Sequence, residues 1–432
     1  MQILNWNSLN PAQQTRALQR PGTDTDAATT AMVRKILATV RKDGDAAVRN
    51  YTQRFDGQTV AQTRVPAAQL QQAWQQLPEI QKTYMRRACD NIKSFHQAQI
   101  PQPLAVEVEP GLVCQRLIRP IERVGIYVPG GSAPLFSSLF MAAIPAKLAG
   151  VGSCIVASPP GKDGKIAPVV LAAASLCELD EVYCMGGAQA IAAMGFGTTN
   201  IPRVDKVFGP GNQWVSEAKS QISQSPGGPA IDLPAGPSEV MVLADADANA
   251  KWVAADLLSQ AEHDPLAQVI LLADCWQTAE QIEQQTKRQL ALLPRADIAR
   301  AAMQNASFIV VDTAKQMLEI INTYAPEHLI LQLQNPRDLL ADIQNAGSIF
   351  IGAFTPEALG DYASGTNHVL PTSGAARAYS GLGVESFVKY ISLQEASFAA
   401  LQNLGPVVME LANMETLDAH ARAVAVRLQE IP

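Results

Sequence analysis

The segment Val124-Gly125-Ile126-Tyr127-Val128-Pro129-Gly130-Gly131 reads as five β-prone residues closed by a proline and two glycines. A short apolar run ending in glycine suits a buried parallel strand at its carboxyl end. Glycine lets the chain turn tightly and brings backbone N–H groups close to a ligand. The texture recurs downstream in CIVAS (154–158), EVYCM (181–185), DKVFG (205–209), EVMVLAD (239–245), VILLAD (269–274), FIVVD (308–312), HLILQL (328–333) and SIFIG (348–352). Helical spacing fills the gaps at 164–178, 212–222, 250–263, 278–293, 313–324 and 336–345. Such alternation predicts parallel sheets with helices on both faces.

The strands are too many for one sheet, so the expected fold is α/β with two Rossmann-like parallel-sheet domains. One spans 121–238, and the larger takes 26–120 and 239–380. Apolar positions Ala31, Met32, Ile36, Leu37, Val40 and Val48 predict helix over 26–56, and a second helical stretch runs from Pro66 to His96. Residues 1–25, polar and interrupted by Pro11 and Pro21, are expected to form an N-terminal arm. Residues 381–432 are expected to form a C-terminal helical segment.

Bulk properties narrow the function. A chain of 432 residues, 47% hydrophobic and 17% charged, has enough apolar content for large cores and is not disordered. Net charge of -7 disfavours nucleic acid as a partner. Six scattered cysteines without a C-x-x-C pair fit a reducing cytosol. The N-terminus lacks a basic region before an apolar core, and the run Leu135–Val151 is broken by Pro145 and Lys147. The expected location is cytoplasmic, with no membrane partner.

Parallel α/β sheets gather ligands at the carboxyl ends of their strands. Four glycine-rich turns follow strands: YVPGGSAP (127–134), MGGAQA (185–190), FGPGN (208–212) and LPAGPSE (233–239). Each is compatible with a plain tight turn. Together they favour a site for an anion or nucleotide, although none is G-x-G-x-x-G.

The polar constellations are few, and four of the five histidines lie beside carboxylates or in unusual loops. SQAEHDP (259–265) ends a helix. Gln260 and His263 are three apart and share a face, either towards a ligand or towards solvent. By residue type alone, Glu262 with His263 would be the metal pair, since glutamine is an uncommon ligand. APEHLI (325–330) sets Glu327 beside His328 at a strand start, suitable for acid–base chemistry or simply a capped turn. GDYASGTNHVLPT (360–372) is a long polar loop carrying Asp361 and His368. METLDAHARAVAVRL (414–428) looks like a helix with Leu417, Ala421, Val424 and Leu428 on one stripe; His420 falls on that stripe and Glu415 precedes it. His96 has no such neighbourhood and reads as structural.

In this order, YVPGGSAP, AIPAKLAGV, GGAQAIAA, FGPGN, DLPAGPSEV, LLSQAEHDP, YAPEHL and GDYASGTNHVLPT resemble the histidinol dehydrogenase family, over about residues 30 to 425. The resemblance implies oxidation of L-histidinol through the aldehyde to L-histidine with two NAD+ reduced, the last two steps of histidine synthesis. It implies one Zn2+ per subunit and an intertwined homodimer with shared active sites. The metal ligands would be Gln260, His263, Asp361 and, from the other subunit, His420. His328 would be the base for the alcohol, and Glu327 would activate the water that attacks the aldehyde. Ser238, His368 and Glu415 would hold the substrate, alongside Gln260, His263, His328, Asp361 and His420. Tyr127, Gln189 and Asn212 would contact NAD+. One departure is Tyr390, in FVKY (387–390), where related sequences often have a basic residue. Two rival functions remain open at this point. A zinc hydrolase would turn over without NAD+. An NAD-sensing regulator with a structural zinc would bind without turnover, though no cysteine has metal-binding spacing.

Overall fold

The structure, a computed structural model, describes residues 2–22, 26–130, 134–233 and 236–429. Its strands are β1 (Ile3–Asn5), β2 (Leu104–Glu109), β3 (Leu112–Pro120), β4 (Arg123–Tyr127), β5 (Ser153–Ser158), β6 (Glu181–Cys184), β7 (Lys206–Phe208), β8 (Ala230–Ile231), β9 (Glu239–Ala244), β10 (Gln268–Ala273), β11 (Ser307–Val310), β12 (His328–Gln332), β13 (Ser348–Ile351) and β14 (Val388–Ala396). The helices before β4 are α1 (Pro11–Ala17), α2 (Ala27–Asp43), α3 (Asp45–Asp56), α4 (Ala67–Gln76) and α5 (Glu79–Gln97). Those between β4 and β9 are α6 (Ser137–Ala149), α7 (Pro168–Leu176), α8 (Gly187–Phe196) and α9 (Gln213–Ser223). The remainder are α10 (Ala250–Ala261), α11 (Trp276–Leu290), α12 (Ala296–Ala302), α13 (Ala314–Tyr324), α14 (Glu357–Tyr362), α15 (Phe398–Met414) and α16 (Asp418–Gln429).

Two all-parallel sheets form the body. One runs β6-β5-β4-β7-β8 and the other β1-β11-β10-β9-β12-β13. Side chains alternate across each, so one strand feeds two cores. In the five-stranded sheet, Val124 and Ile126 of β4 face the core with α4 to α7, while Tyr127 joins α2, α3, α8 and α9 on the opposite face. In the six-stranded sheet, Val240 and Val242 pack towards α10 to α12, and Met241 and Leu243 towards α13 and Ala17. Near-continuous apolar strands such as VILLA are what two covered faces require.

Several expectations need correction. Residues 26–56 form two helices, because Gly44 turns the chain at φ +55°. Proline at 78 likewise divides 66–96 into α4 and α5. These helices pack on the five-stranded sheet, not on the larger unit with 239–380. Residues 2–17 are no free arm: β1 pairs with β11 at the sheet edge, Ile3 beside Phe308. The expected helix at 336–345 is only a short 3-10 turn over Pro336–Leu339. There Asn322 Oδ1 accepts from the backbone N–H groups of Gln344 and Asn345, which diverts them from helical bonding.

The sequence reading also missed a third sheet. β14, β3 and β2 pair antiparallel, with Lys389 opposite Arg119 and Val106 opposite Cys114. The C-terminal segment is therefore a strand followed by two helices. α15 and α16 pack on each other, and no described residue of α16 is buried in this chain. Leu104, Val106, Val108, Ile391, Leu411 and Met414 are exposed on this unit. Among the described residues, no helix is long and apolar enough to cross a membrane.

Candidate active site

The switch in strand order places β12 beside β9, with His328 opposite Val240 in register. That brings the amino ends of β9 and β12 together. α10 runs back to the same edge and ends at Ala261, leaving Gln260 in its last turn and His263 just beyond. α14 follows β13 and packs against α10. The pocket thus sits at the amino edge of the six-stranded sheet, not at the carboxyl edge expected for it. The glycine turns of the five-stranded sheet do follow the carboxyl ends of their strands.

His328 is 4% exposed, and its Nδ1 lies 3.0 Å from the Glu239 carbonyl. A carbonyl only accepts, so Nδ1 carries the proton and Nε2 presents a lone pair. Nε2 has no hydrogen-bond partner among the described residues and lies 3.9 Å from Asp361 Oδ1. Burial pushes the imidazole down to about 3, and the charges of His263 and His368 act in the same direction. His328 is therefore a neutral imidazole with a free nitrogen at neutral pH. Glu327 Oε2 accepts from the Glu239 N–H at 2.8 Å. Burial raises the Glu327 carboxyl well above the usual carboxylate range.

Asp361 lies on α14, not in the loop where the sequence reading placed it, and burial pushes its carboxyl up to about 7. His368 Nδ1 donates to the Asp361 carbonyl at 2.7 Å, and its Nε2 accepts from the Ser138 hydroxyl at 3.2 Å. Burial lowers this imidazole to about 4. Ser138 belongs to α6, which follows β4, so this bond joins the two sheets' edges. Gln260 is fully buried, yet neither amide atom has a hydrogen-bond partner among the described residues. An unpaired buried amide is costly unless a ligand satisfies it. His263 is an exposed residue just beyond α10, and desolvation is the largest cause lowering its pKa. Ser238 immediately precedes β9, and its carbonyl accepts from the Gln268 N–H at 3.0 Å.

Glu357 was missed from the sequence. It opens α14 four residues before Asp361, so both carboxylates share one helical face. It is 0% exposed, neither oxygen has a hydrogen-bond partner among the described residues, and Oε1 lies 4.0 Å from His328 Nδ1. Ligand atoms of His328, Glu357 and Asp361 fall within 4.8 Å of one another. The signal was the E-x-x-x-D spacing in PEALGDY, of which only the stretch from Gly360 was taken into a motif. His96 is structural as expected: Nδ1 donates to the Ile92 carbonyl at 2.8 Å, and Nε2 accepts from Asn367 at 3.3 Å. Glu415 and His420, by contrast, are exposed on α15–α16 and make no side-chain bond to a described pocket residue.

The nucleotide-type turns lie at the carboxyl ends of β4, β6 and β7. The Tyr127 hydroxyl accepts from the Gly187 N–H at 3.1 Å, and burial pushes it up to about 12. Gln189 is buried in α8, and Asn212 caps α9, accepting from the Trp214 and Val215 N–H groups. Gly209 has φ +113°, and a Cβ there would stand 2.1 Å from the Tyr127 carbonyl. The turn is pinned by Asp232, which accepts from the Gly209 N–H at 2.8 Å and pairs with Lys219 Nζ at 2.5 Å. Residues 131–133 of the first turn and 234–235 of the last lie outside the described residues.

The residues fit the implied groups. Imidazole, carboxylate and a buried amide are donor types compatible with zinc, although the ligand atoms brought closest are those of His328, Glu357 and Asp361 and not of His263. The pinned glycine turns at helix amino ends fit a dinucleotide. A histidine- and carboxylate-rich pocket on one sheet, joined to nucleotide turns on another, defines a nicotinamide-dependent dehydrogenase. The family model described as histidinol dehydrogenase matches residues 18–428. The chain is 49% identical to histidinol dehydrogenase of Aliivibrio fischeri, covering 100% of this chain and 97% of the relative. It is 51% identical to that of Xanthomonas axonopodis pv. citri, covering 99% of each. The crystal structure of histidinol dehydrogenase from Elizabethkingia anophelis superposes with a TM-score of 0.95 at 43% identity, covering 99% of this chain and 98% of that one. The chain belongs to the histidinol dehydrogenase family, and its activity is that of an oxidoreductase acting on histidinol.

Proposed function

We propose that Gln260, His263 and Asp361 hold one zinc ion and that Tyr127, Gln189 and Asn212 contact NAD+. Zinc supplies an anchor for the substrate's nitrogen donors, and NAD+ supplies the hydride acceptor. His328 Nε2 takes the alcohol proton, its ring held by the Nδ1 bond to Glu239. Glu327, with one oxygen on the Glu239 N–H, offers the other to the water that attacks the aldehyde. Ser238 and His368 hold substrate polar groups, His368 by exchanging its Ser138 partner for the substrate. Keeping both oxidations in one pocket prevents loss of the reactive aldehyde.

In this reading the enzyme is a homodimer, and His420 and Glu415 reach the partner's pocket. Two features support it: the uncovered apolar surface of the C-terminal unit, and a metal set one ligand short in one chain. Free thiols at all six cysteines suit a reducing, cytoplasmic setting.

The observation that carries the proposal is the buried, unpaired Gln260 amide beside a pocket with an unpaired His328 Nε2. The test is NADH formed per L-histidinol consumed, before and after chelation. Two NADH per substrate, lost on chelation and restored by zinc, are expected. One NADH per substrate, or turnover indifferent to chelation, sinks the reading.

A further inference from the structure

Glu239 stands between the two reacting residues without entering the chemistry. Its N–H holds Glu327 and its carbonyl holds His328, so one residue's backbone sets both positions. Glu239 opens β9 opposite Gln268, at the start of the ladder, and its own side chain is held as well. Arg20 grips it with two parallel bonds, Nε to Oε1 at 2.5 Å and Nη2 to Oε2 at 2.9 Å. The pair is buried, with side-chain exposures of 15% for Arg20 and 2% for Glu239. Glu239 Oε1 also accepts from the Ser373 N–H at 2.7 Å.

The same guanidinium lies 3.8 Å over the Tyr324 ring and donates through Nη2 to the Tyr324 carbonyl at 2.8 Å. Tyr324 is three residues before Glu327. Arg20 therefore holds the starts of both β9 and β12. The grip is itself tied down: Tyr324 Oη donates to Gln268 Oε1 at 2.9 Å, and Gln268 Nε2 donates to the Gln19 carbonyl at 2.9 Å.

A buried ion pair is a poor way to gain stability, because desolvation consumes most of the attraction, and an apolar pair of similar volume serves as well or better. A two-bond arginine–carboxylate fork instead gives fixed geometry. We propose that Arg20 and Glu239 are positioning residues that hold the general base and the water-activating carboxylate in register for both oxidation steps. The segment after α1 is thereby part of the catalytic apparatus. This rests on the roles given above to Glu327 and His328.

The test uses the full-length, zinc-loaded enzyme. Arg20→Lys keeps the charge and loses the fork. The double variant Arg20→Met with Glu239→Met removes both buried charges, so folding is not burdened by an unpaired one. For each, kcat and KM are measured with L-histidinol and separately with L-histidinal, together with Tm and zinc per chain. Both kcat values should fall in parallel, by roughly 10–100-fold for the double variant and less for Arg20→Lys. Both KM values should stay within about twofold, and zinc content should be unchanged. A stable double variant with wild-type kcat overturns the proposal. So does a loss confined to one step, or one that follows lost zinc. Glu327→Gln and His328→Asn are measured alongside. If they are inactive while the Arg20 variants are not, the clamp alone fails. If they too are fully active, the site reading fails and the clamp with it.

Discussion

Asp361 is held at a stability cost that the metal should relieve, and the cost can be measured. In the metal-free chain, burial raises its carboxyl from 3.8 to about 7. A raised carboxyl means the folded state binds the proton more tightly than the unfolded state. The penalty is therefore absent below about pH 3.8, grows as pH rises, and is complete above pH 7. A shift of this size corresponds to about 4 kcal/mol at pH 8. Asn at 361 is nearly isosteric and carries no charge, and the wild-type side chain has only a 3.9 Å approach to His328 to lose. Chelated Asp361→Asn protein should therefore melt several degrees above chelated wild type at pH 8. The gap should shrink as pH falls towards 5. Adding zinc should raise the wild-type Tm and leave Asp361→Asn nearly unmoved, because the variant has lost a ligand. Differential scanning calorimetry with and without chelator reads all four states. A chelated Asp361→Asn protein less stable than chelated wild type at pH 8 would show that the carboxylate is satisfied without metal, and the reasoning would fail.

Glu357→Gln should weaken zinc binding by about 10–100-fold in a chelator competition, as expected for a group that supports metal ligands. Unchanged affinity removes Glu357 from the metal's surroundings. Gly209→Ala forces a Cβ against the Tyr127 carbonyl at 2.1 Å and should raise KM for NAD+ well before KM for histidinol; equal KM values for NAD+ would detach this turn from the nucleotide. Mixing inactive His263→Ala with inactive His420→Ala protein should regain activity through heterodimers, while no regain argues for sites built within one chain. Asp256, buried and raised to about 6, gives an independent pH probe. Asp256→Asn should raise Tm at pH 8 and change it little at pH 4, with the opposite order counting against a buried ionised carboxylate at that position.

The sequence by itself determined the alternation of strands and helices in the two parallel sheets. A strand covered on both faces must be apolar along its whole length, so VGIYV and VILLAD announce themselves locally. It also supplied Glu327, His328, Gln260, His263, Asp361 and His368, which lie in distinctive local motifs. Tertiary structure decided which of those motifs meet. The β9–β12 adjacency that puts the pocket at an amino edge is a matter of strand order, and no local window encodes it. Glu239 acts through its backbone and Arg20 through a contact 219 residues away, so neither had a motif to show. Glu357 lay outside every motif, and a lone E-x-x-x-D spacing is too common on helices to single out. Strand β14 was missed because its pairing with β3 joins residues as distant in sequence as Lys389 and Arg119, and β2 because it is exposed along nearly its whole length. Glu415 and His420 are exposed and stand clear of the described pocket residues in one chain, so nothing within a single chain could test the reading that places them in a partner's site.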